Sequence, residues 1–285
     1  MLSIGYLNDN NTCVCLEYNE RFKEYTLERC RVQMNNNLTV VVLTKNEEKN
    51  IVAVVQNAKK IAAEVLIVDS GSTDKTVQLA EENGAKVVYR AWDNDFAAQR
   101  NFALQHVKTE WVLYLDADER MTDELINDIQ EKISSHKAAL YRFVRHNNAF
   151  GKKFHYGVLG PDSVVRLFPV GQAKWEGKVH EGLSSKLEIV TLKGHLSHYT
   201  YSSFEDYLDK MNKYSSIGAV DRSLRGKKCS IIGDLILRPV FAFFKMYVLK
   251  AGFLEGWLGF VLCLNYANYT LNKYVKLKMM GDNKL

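Results

Sequence analysis

Three apolar runs, each cut off by a polar turn, constrain this chain more than any other feature. Residues 38–43, 65–68 and 111–115 are short, branched and aromatic. They end in Thr44-Lys45-Asn46-Glu47-Glu48, Asp69-Ser70-Gly71-Ser72-Thr73-Asp74 and Asp116-Ala117-Asp118-Glu119. Runs of this length without alternation read as strands buried on both faces. Helical patterns at 50–58, 76–83 and 96–107 follow the strands, and Gly84 stops the second ahead of another strand at 86–89. The alternation predicts an α/β fold with a parallel sheet covered by helices, in which ligands bind beyond the carboxyl ends of the strands. Every polar turn named above lies at that edge.

Beyond a helix at 123–133 the texture is irregular. Short strands are expected at 139–145, 163–168, 187–192 and 195–199, extending the sheet and carrying the acceptor side of the site. A helix at 204–224 precedes two long aromatic and aliphatic segments, 231–249 and 253–274, joined through Lys250-Ala251-Gly252. The formal charge of +5 is concentrated here, with eleven lysines and arginines against four acids over residues 221–285. A membrane span needs about 20 predominantly apolar residues. Arg238, Lys245 and Lys250 interrupt the first segment and Asn265 and Asn268 the second, so amphipathic helices at an anionic membrane surface are expected. A helical pair packed on the domain is the alternative. The organisation predicted is an unassigned extension at 1–37, with room for a hairpin, a catalytic domain at 38–225 and a basic helical region at 226–285.

Five cysteines, an odd number without paired spacing, fit reduced thiols, and Met1 to Asn10 lacks the basic and apolar regions of a secretory signal. A cytoplasmic enzyme, peripheral at the inner face of the membrane, is the resulting expectation. No feature points to nucleic acid.

The chemistry centres on Asp116 and Asp118. Side chains two apart on an extended segment point the same way, so both carboxylates can converge beyond the strand end. Hard oxygen ligands there suit Mg²⁺ or Mn²⁺, which complete their shells with water and phosphate oxygens. A polar turn capping the next helix is the competing reading. Asp69, ending the second strand, is placed to accept hydrogen bonds from a base or ribose. Arg100, in a helix beside acids, is either a salt-bridge partner or a phosphate fork.

The motifs 40–47, 68–76, Gln99-Arg100-Asn101 and 115–119, in this order, resemble the family 2 glycosyltransferases, inverting enzymes of the GT-A fold, a Rossmann-like mixed sheet with helices on both faces. Arg166-Leu167-Phe168, residues 175–181 and the tail motifs Arg238-Pro239, 244–247 and 252–256 resemble the subgroup of lipopolysaccharide core β-1,4-glucosyltransferase-like proteins. The resemblance implies that Thr44 and Glu47 line the nucleotide pocket, Asp69 holds uracil or ribose, and Arg100 reaches base or diphosphate. It further implies that Asp116, Ala117 and Asp118 meet the nucleotide sugar, with Asp118 on the metal and Asp116 nearer the ribose and diphosphate.

An attacking hydroxyl must lose its proton to a base across the pocket. Glu181 is the first candidate, in a stretch with glycines, Trp175 as a platform for a sugar face, and His180 as a possible metal ligand or acceptor contact. Asp162 is the alternative, followed by Asp93 and Asp95. His195 and His198 are read as ordinary histidines, since their spacing turns them to opposite faces of a strand. The expected activity is transfer of a sugar, glucose, from a UDP-sugar donor to a glycan or lipid-linked saccharide acceptor. The alternatives are a polyprenyl-phosphate sugar synthase, a nucleotidyltransferase, and a noncatalytic sugar-nucleotide-binding protein.

Overall fold

A computed structural model of the chain describes residues 4–7, 13–19, 24–29, 37–177 and 182–282. In the N-terminal extension β1 (Ile4–Leu7), β2 (Cys13–Asn19) and β3 (Glu24–Arg29) pair antiparallel as a sheet of their own. The predicted alternation follows as β4 (Leu38–Thr44), α1 (Ile51–Lys59), β5 (Glu64–Asp69), α2 (Thr76–Glu82), β6 (Lys86–Tyr89), α3 (Phe96–Leu104) and β7 (Trp111–Asp116). Strands β6, β5, β4 and β7 are parallel neighbours in that order. Val40 and Val42 enter one core with Ile51, Val54 and Leu113, while Val41 enters the other with Leu66 and Tyr114. This two-sided burial is why the runs do not alternate. Helix α3 stops short of the predicted 107, because His106 and Val107 bond three residues back to Ala103 and Leu104 and tighten the exit.

The second half turns a parallel sheet into a mixed one. It comprises β8 (Glu119–Met121), α4 (Asp123–Ser134), β9 (Leu140–Ala149), β10 (Lys152–Lys153), β11 (Asp162–Pro169), β12 (Lys174–Glu176), β13 (Gly182–Ser184), β14 (Ile189–Tyr201) and α5 (Phe204–Leu224). The large sheet runs β6-β5-β4-β7-β11-β9-β14-β8, with β10 paired to β9. Only Ala117 and Asp118 separate β7 from β8, yet three strands stand between them in the sheet, so β11, β9 and β14 must curl round to close over the end of β7. The two strands expected at 187–192 and 195–199 are one strand, β14. A register shift against β9 between Thr191 and His195 breaks its pattern at Gly194.

The apolar tail divides at Lys250-Ala251-Gly252 as predicted, and its first segment is itself irregular. Ile231–Leu237 and Lys245–Leu249 are wide helical turns on either side of α6 (Arg238–Phe244), and a tight turn, Gly252–Glu255, leads into α7 (Gly256–Asp282). No single helix among the described residues is long and apolar enough to cross a membrane; the pair Ile231–Leu249 and Gly252–Gly281 is bent by 70°. The tail is docked on the domain: Leu262 shares a core with Ala149, Phe154, Leu159 and Tyr207. Buried Glu255 accepts from the backbone N–H groups of His155 (2.7 Å) and Tyr156 (3.0 Å) and pairs with Lys152 (2.7 Å).

Candidate active site

Strand register brings the polar turns together. Thr44 is opposite Asp69 and Leu43 opposite Asp116, so three strand ends share one rim. The two turns after β4 and β5 are laced to each other. Asn46, at φ +58°, accepts from the Thr73 N–H (2.8 Å), and its own N–H donates to Ser72 Oγ (2.9 Å). The Glu47 N–H donates to Thr76 Oγ1 (2.7 Å). Asp69 organises this turn: its buried carboxylate accepts from the N–H groups of Gly71 (2.8 Å) and Ser72 (2.9 Å), from Ser72 Oγ (2.5 Å) and from Thr44 Oγ1 (3.2 Å).

The motif Gln99-Arg100-Asn101 divides its work among three partners. Gln99 donates to Ser70 Oγ (2.7 Å), tying α3 to the turn after β5. Asn101 holds the backbone of Trp175 at both N–H (3.1 Å) and carbonyl (2.8 Å), pinning β12 beside α3. Arg100, buried between the rings of Trp175 (4.7 Å to the centroid) and Tyr114 (5.3 Å), reaches Asp116 Oδ1 at 3.4 Å. Trp175 is therefore buried beneath a guanidinium rather than free to stack on a sugar.

Asp116 sits in a network of three carboxylates and three guanidiniums. Its Oδ2 pairs with Arg166, whose same nitrogen approaches Glu119 Oε1 at 3.5 Å. Glu119, fully buried, also takes Arg145 Nη1 at 3.0 Å. Burial would raise the Asp116 pKa, but Arg166, Arg100 and Arg145 prevail and hold the carboxyl well below the usual carboxylate range. Ala117 between the acids is buried, and its carbonyl accepts from Arg120 Nη1 (2.7 Å).

Asp118 has different company. Its Oδ2 stands 3.3 Å from His198 Nε2, and its carbonyl accepts from the Tyr199 N–H at 2.9 Å. The other ring nitrogen of His198 lies 2.7 Å from Asn147 Oδ1. Asn147 Nδ2 donates to the carbonyls of Leu159 and Gly160, both at 3.2 Å, which fixes its amide with the oxygen toward the ring. His198 Nδ1 must then carry the hydrogen, and Nε2 turns toward Asp118. Glu47 faces the same space: burial and the charge of Asp118 raise its pKa, against the hydrogen bond from Asn50.

The alternative bases are committed elsewhere. Asp162 takes Arg145 Nε (2.8 Å) and Nη2 (2.7 Å) in a bidentate pair. Asp93 pairs with Arg90 at 2.7 Å, and Asp95 caps α3 by accepting from the Ala98 N–H at 2.8 Å. Glu181 and His180 lie outside the described residues. Sequence reasoning set His198 aside as an ordinary histidine, named Arg166 and Glu119 within motifs without giving them a role, and did not single out Arg145. The opposite-face argument for the two histidines holds, since His195 packs against His146 at 4.5 Å between ring centroids, but the partner of His198 lies eighty positions away in the chain.

The donor set fits a divalent cation. A carboxylate oxygen and an imidazole nitrogen whose far side is hydrogen-bonded are a ligand pair with its outer support in place. Asp116 is differently engaged, with both oxygens on guanidiniums. Among the described residues no group of three or more His, Cys, Asp or Glu side chains is arranged to hold a metal.

A curled mixed sheet with helices, a rim of laced polar turns and an Asp-Ala-Asp turn at the end of β7 define a glycosyltransferase of the GT-A fold. Residues 39–181 match Glycosyl transferase family 2, and the chain belongs to that family. An uncharacterized glycosyltransferase of Rickettsia conorii is 30% identical over 86% of this chain and 92% of its own. The lipopolysaccharide core biosynthesis glycosyltransferase LpsC of Rhizobium meliloti is 27% identical over 84% of this chain and 91% of its own. Among solved structures, residues 1–349 of S. aureus TarS superpose with a TM-score of 0.42 at 15% identity, covering 87% of this chain and 92% of that one.

Proposed function

We propose that the protein is an inverting, divalent-cation-dependent transferase that moves glucose from UDP-glucose to a saccharide of a cell-envelope glycan, as in lipopolysaccharide core. The observation that carries this reading is the Asp118–His198 pair, 3.3 Å apart at the rim of the sheet with the imidazole tautomer set by Asn147. The name of the LpsC relative supports the acceptor class. Mg²⁺ or Mn²⁺ held by Asp118 and His198 would neutralise charge on the diphosphate leaving group as a Lewis acid.

The chain's own residues do the rest. The turn organised by Asp69, with Thr44 and Glu47, receives the nucleoside. Arg100, oriented by Trp175 and Asp116, adds fixed positive charge on the diphosphate side. Asp116 keeps its negative charge through Arg166 and Arg100 and sets the position of Arg100. Glu181 takes the acceptor proton, a role supported by the pairing of Asp162, Asp93 and Asp95 with other groups and by the anchoring of β12 next to Arg100. The cationic tail, with its exposed apolar face, supports placement at an anionic membrane surface.

The test is product analysis with a panel of UDP-sugars and lipid-linked saccharides, with and without Mn²⁺. A glycosidic product from UDP-glucose, lost in Asp118→Ala, is expected. A sugar-phosphate product would identify the polyprenyl-phosphate version instead, and full metal-dependent turnover by Asp118→Ala would overturn the site.

A further inference from the structure

Away from the rim, α5, α6, α7 and the wide turns flanking α6 line an open cavity of about 360 Å³. Its walls bring Arg222, Arg238, Lys245 and Lys273 together beside Phe241 and Tyr274, and no acidic residue lines it. Three of the cations gather on one buried ring. The guanidinium carbons of Arg222 and Arg238 lie 5.0 and 5.4 Å from the Tyr274 centroid, and Lys273 Nζ lies at 5.3 Å. Asp234 pairs with Arg238 and lies within electrostatic reach of Arg222, but among the described residues no carboxylate makes a direct ion pair with Arg222, Lys245 or Lys273. Burial, together with Arg222 and Arg238, lowers the pKa of Lys273. Like charges held this close, with one part-buried, are unfavourable until an anion enters.

The position of the cavity says which anion. Two residues of its wall, Leu237 and Phe241, are 60% and 59% exposed, and they continue into exposed Val240, Phe244 and Leu249. A cationic hollow opening beside an apolar face matches an amphiphile whose head is a phosphate and whose body is hydrocarbon. We propose that this cavity binds the phosphate headgroup of an anionic membrane lipid while the outer face of α6 rests in the acyl boundary. The proposal rests on the membrane placement of the tail given above and adds a defined headgroup site to it.

The test is co-sedimentation of the full chain with three kinds of vesicle: phosphatidylcholine alone, phosphatidylcholine with phosphatidic acid, and phosphatidylcholine made equally negative with oleate. Binding to phosphatidic acid vesicles is expected to exceed binding to oleate vesicles by roughly tenfold. Arg222→Gln with Lys273→Gln is expected to abolish that preference while donor turnover and weak binding to neutral vesicles persist. Arg222→Lys with Lys273→Arg, which preserves charge and bulk, is expected to keep the preference and so separates headgroup binding from folding. Equal binding to phosphatidic acid and oleate overturns the cavity and leaves the membrane placement standing. Absence of binding to every vesicle overturns both. Saturable binding of glycerol 3-phosphate by a chain that ignores phosphatidic acid vesicles overturns the lipid source.

Discussion

Arg166 is the extra residue of a bulge in β11, and its guanidinium ends on Asp116. Val165 pairs with Arg142 and Leu167 with Tyr141, so Arg166 has no place in the ladder with β9. A bulge re-aims a side chain, and this one points a cation at the end of β7 from a strand antiparallel to it. The result is a buried charge between Asp116 and Glu119 that holds the acidic turn in place.

Arg166→Met is expected to lower stability by about 2–4 kcal/mol in urea unfolding. This is less than the roughly 3–5 kcal/mol for breaking a fully buried pair, because the Asp116 side chain is still 34% exposed and Glu119 keeps Arg145. It should also raise the KM for the donor, since Asp116 no longer fixes Arg100. Unchanged stability would mean that the network contributes nothing net.

Asn147 makes no contact with the reacting atoms in this reading, yet it sets the tautomer of His198. Asn147→Leu is expected to weaken Mn²⁺ activation by about 10–100-fold, as outer-shell changes at metal-ligating histidines do. His198→Ala should cost more than Asn147→Leu in the same titration. Equal Mn²⁺ dependence in all three proteins would remove His198 from the metal site.

Two carboxylates predict acid lability with a definite sign. For Asp116 burial is overcome by three arginines, and for Glu255 by Lys152 and two backbone N–H groups, so both folded pKa values lie below the ordinary 3.8 and 4.5. Their contributions are complete above those ordinary values and are lost as pH falls below them. Thermal melts should therefore drop as pH falls below about 4.5, and Asp116→Asn and Glu255→Gln should each flatten the drop. Glu47 has the opposite sign: its folded pKa is raised, so its contribution is present below 4.5 and is lost as pH rises through the folded value. Glu47→Gln is expected to raise the Tm at pH 7 and to change it little near pH 4.

The parallel half of the sheet was legible because burial on both faces writes itself as uninterrupted apolar runs, and β6 and α5 fall on the spans read from pattern alone. Asp116 and Asp118 stood out as acids at a strand end, but their separation did not: β7 stops at Asp116, and the turn at Ala117 and Asp118 leaves Asp116 to the arginines and Asp118 to His198. What escaped was everything supplied from across the curl. Arg145 and Arg166 look like isolated charges on half-exposed strands, and His198 like a surface histidine, until β9, β11 and β14 bring them to the end of β7. Trp175 was misjudged because an aromatic in a polar loop gives no sign of the arginine that covers it. The tail's bend at Lys250-Ala251-Gly252 was legible, whereas the wide helical turns within its first segment were not, because such turns carry no residue signature.

Gly194 lies where β14 crosses the start of α4. A Cβ there would fall 2.3 Å from the Leu125 nitrogen, with backbone on the other side that has no freedom to yield. Gly194→Ala is expected to destabilise by about 1–3 kcal/mol, or more if the helix cannot shift. Gly182, with nothing within 4 Å of its Cβ position, provides the comparison, and Gly182→Ala should unfold at the same urea concentration as the parent.

Cys263 reports whether the tail stays docked. Burial pushes its thiol up to about 11, so at pH 8 the thiolate is on the order of one part in a thousand, and iodoacetamide should label it far more slowly than the same cysteine in the urea-unfolded chain. Its sulfur faces the glycine junction between tail and domain: a Cβ on Gly252 would lie 2.8 Å from Cys263 Sγ and 2.7 Å from the Met246 carbonyl oxygen. Gly252→Ala must therefore push either the sulfur or the turn outward. Peptide mapping of labelled chains is expected to show Cys263 alkylated at least about tenfold faster in Gly252→Ala than in the parent. If the parent already reacts at the unfolded rate, the tail is not held against the domain, and the coupling of the apolar face to the His155–Tyr156 backbone through Glu255 fails with it.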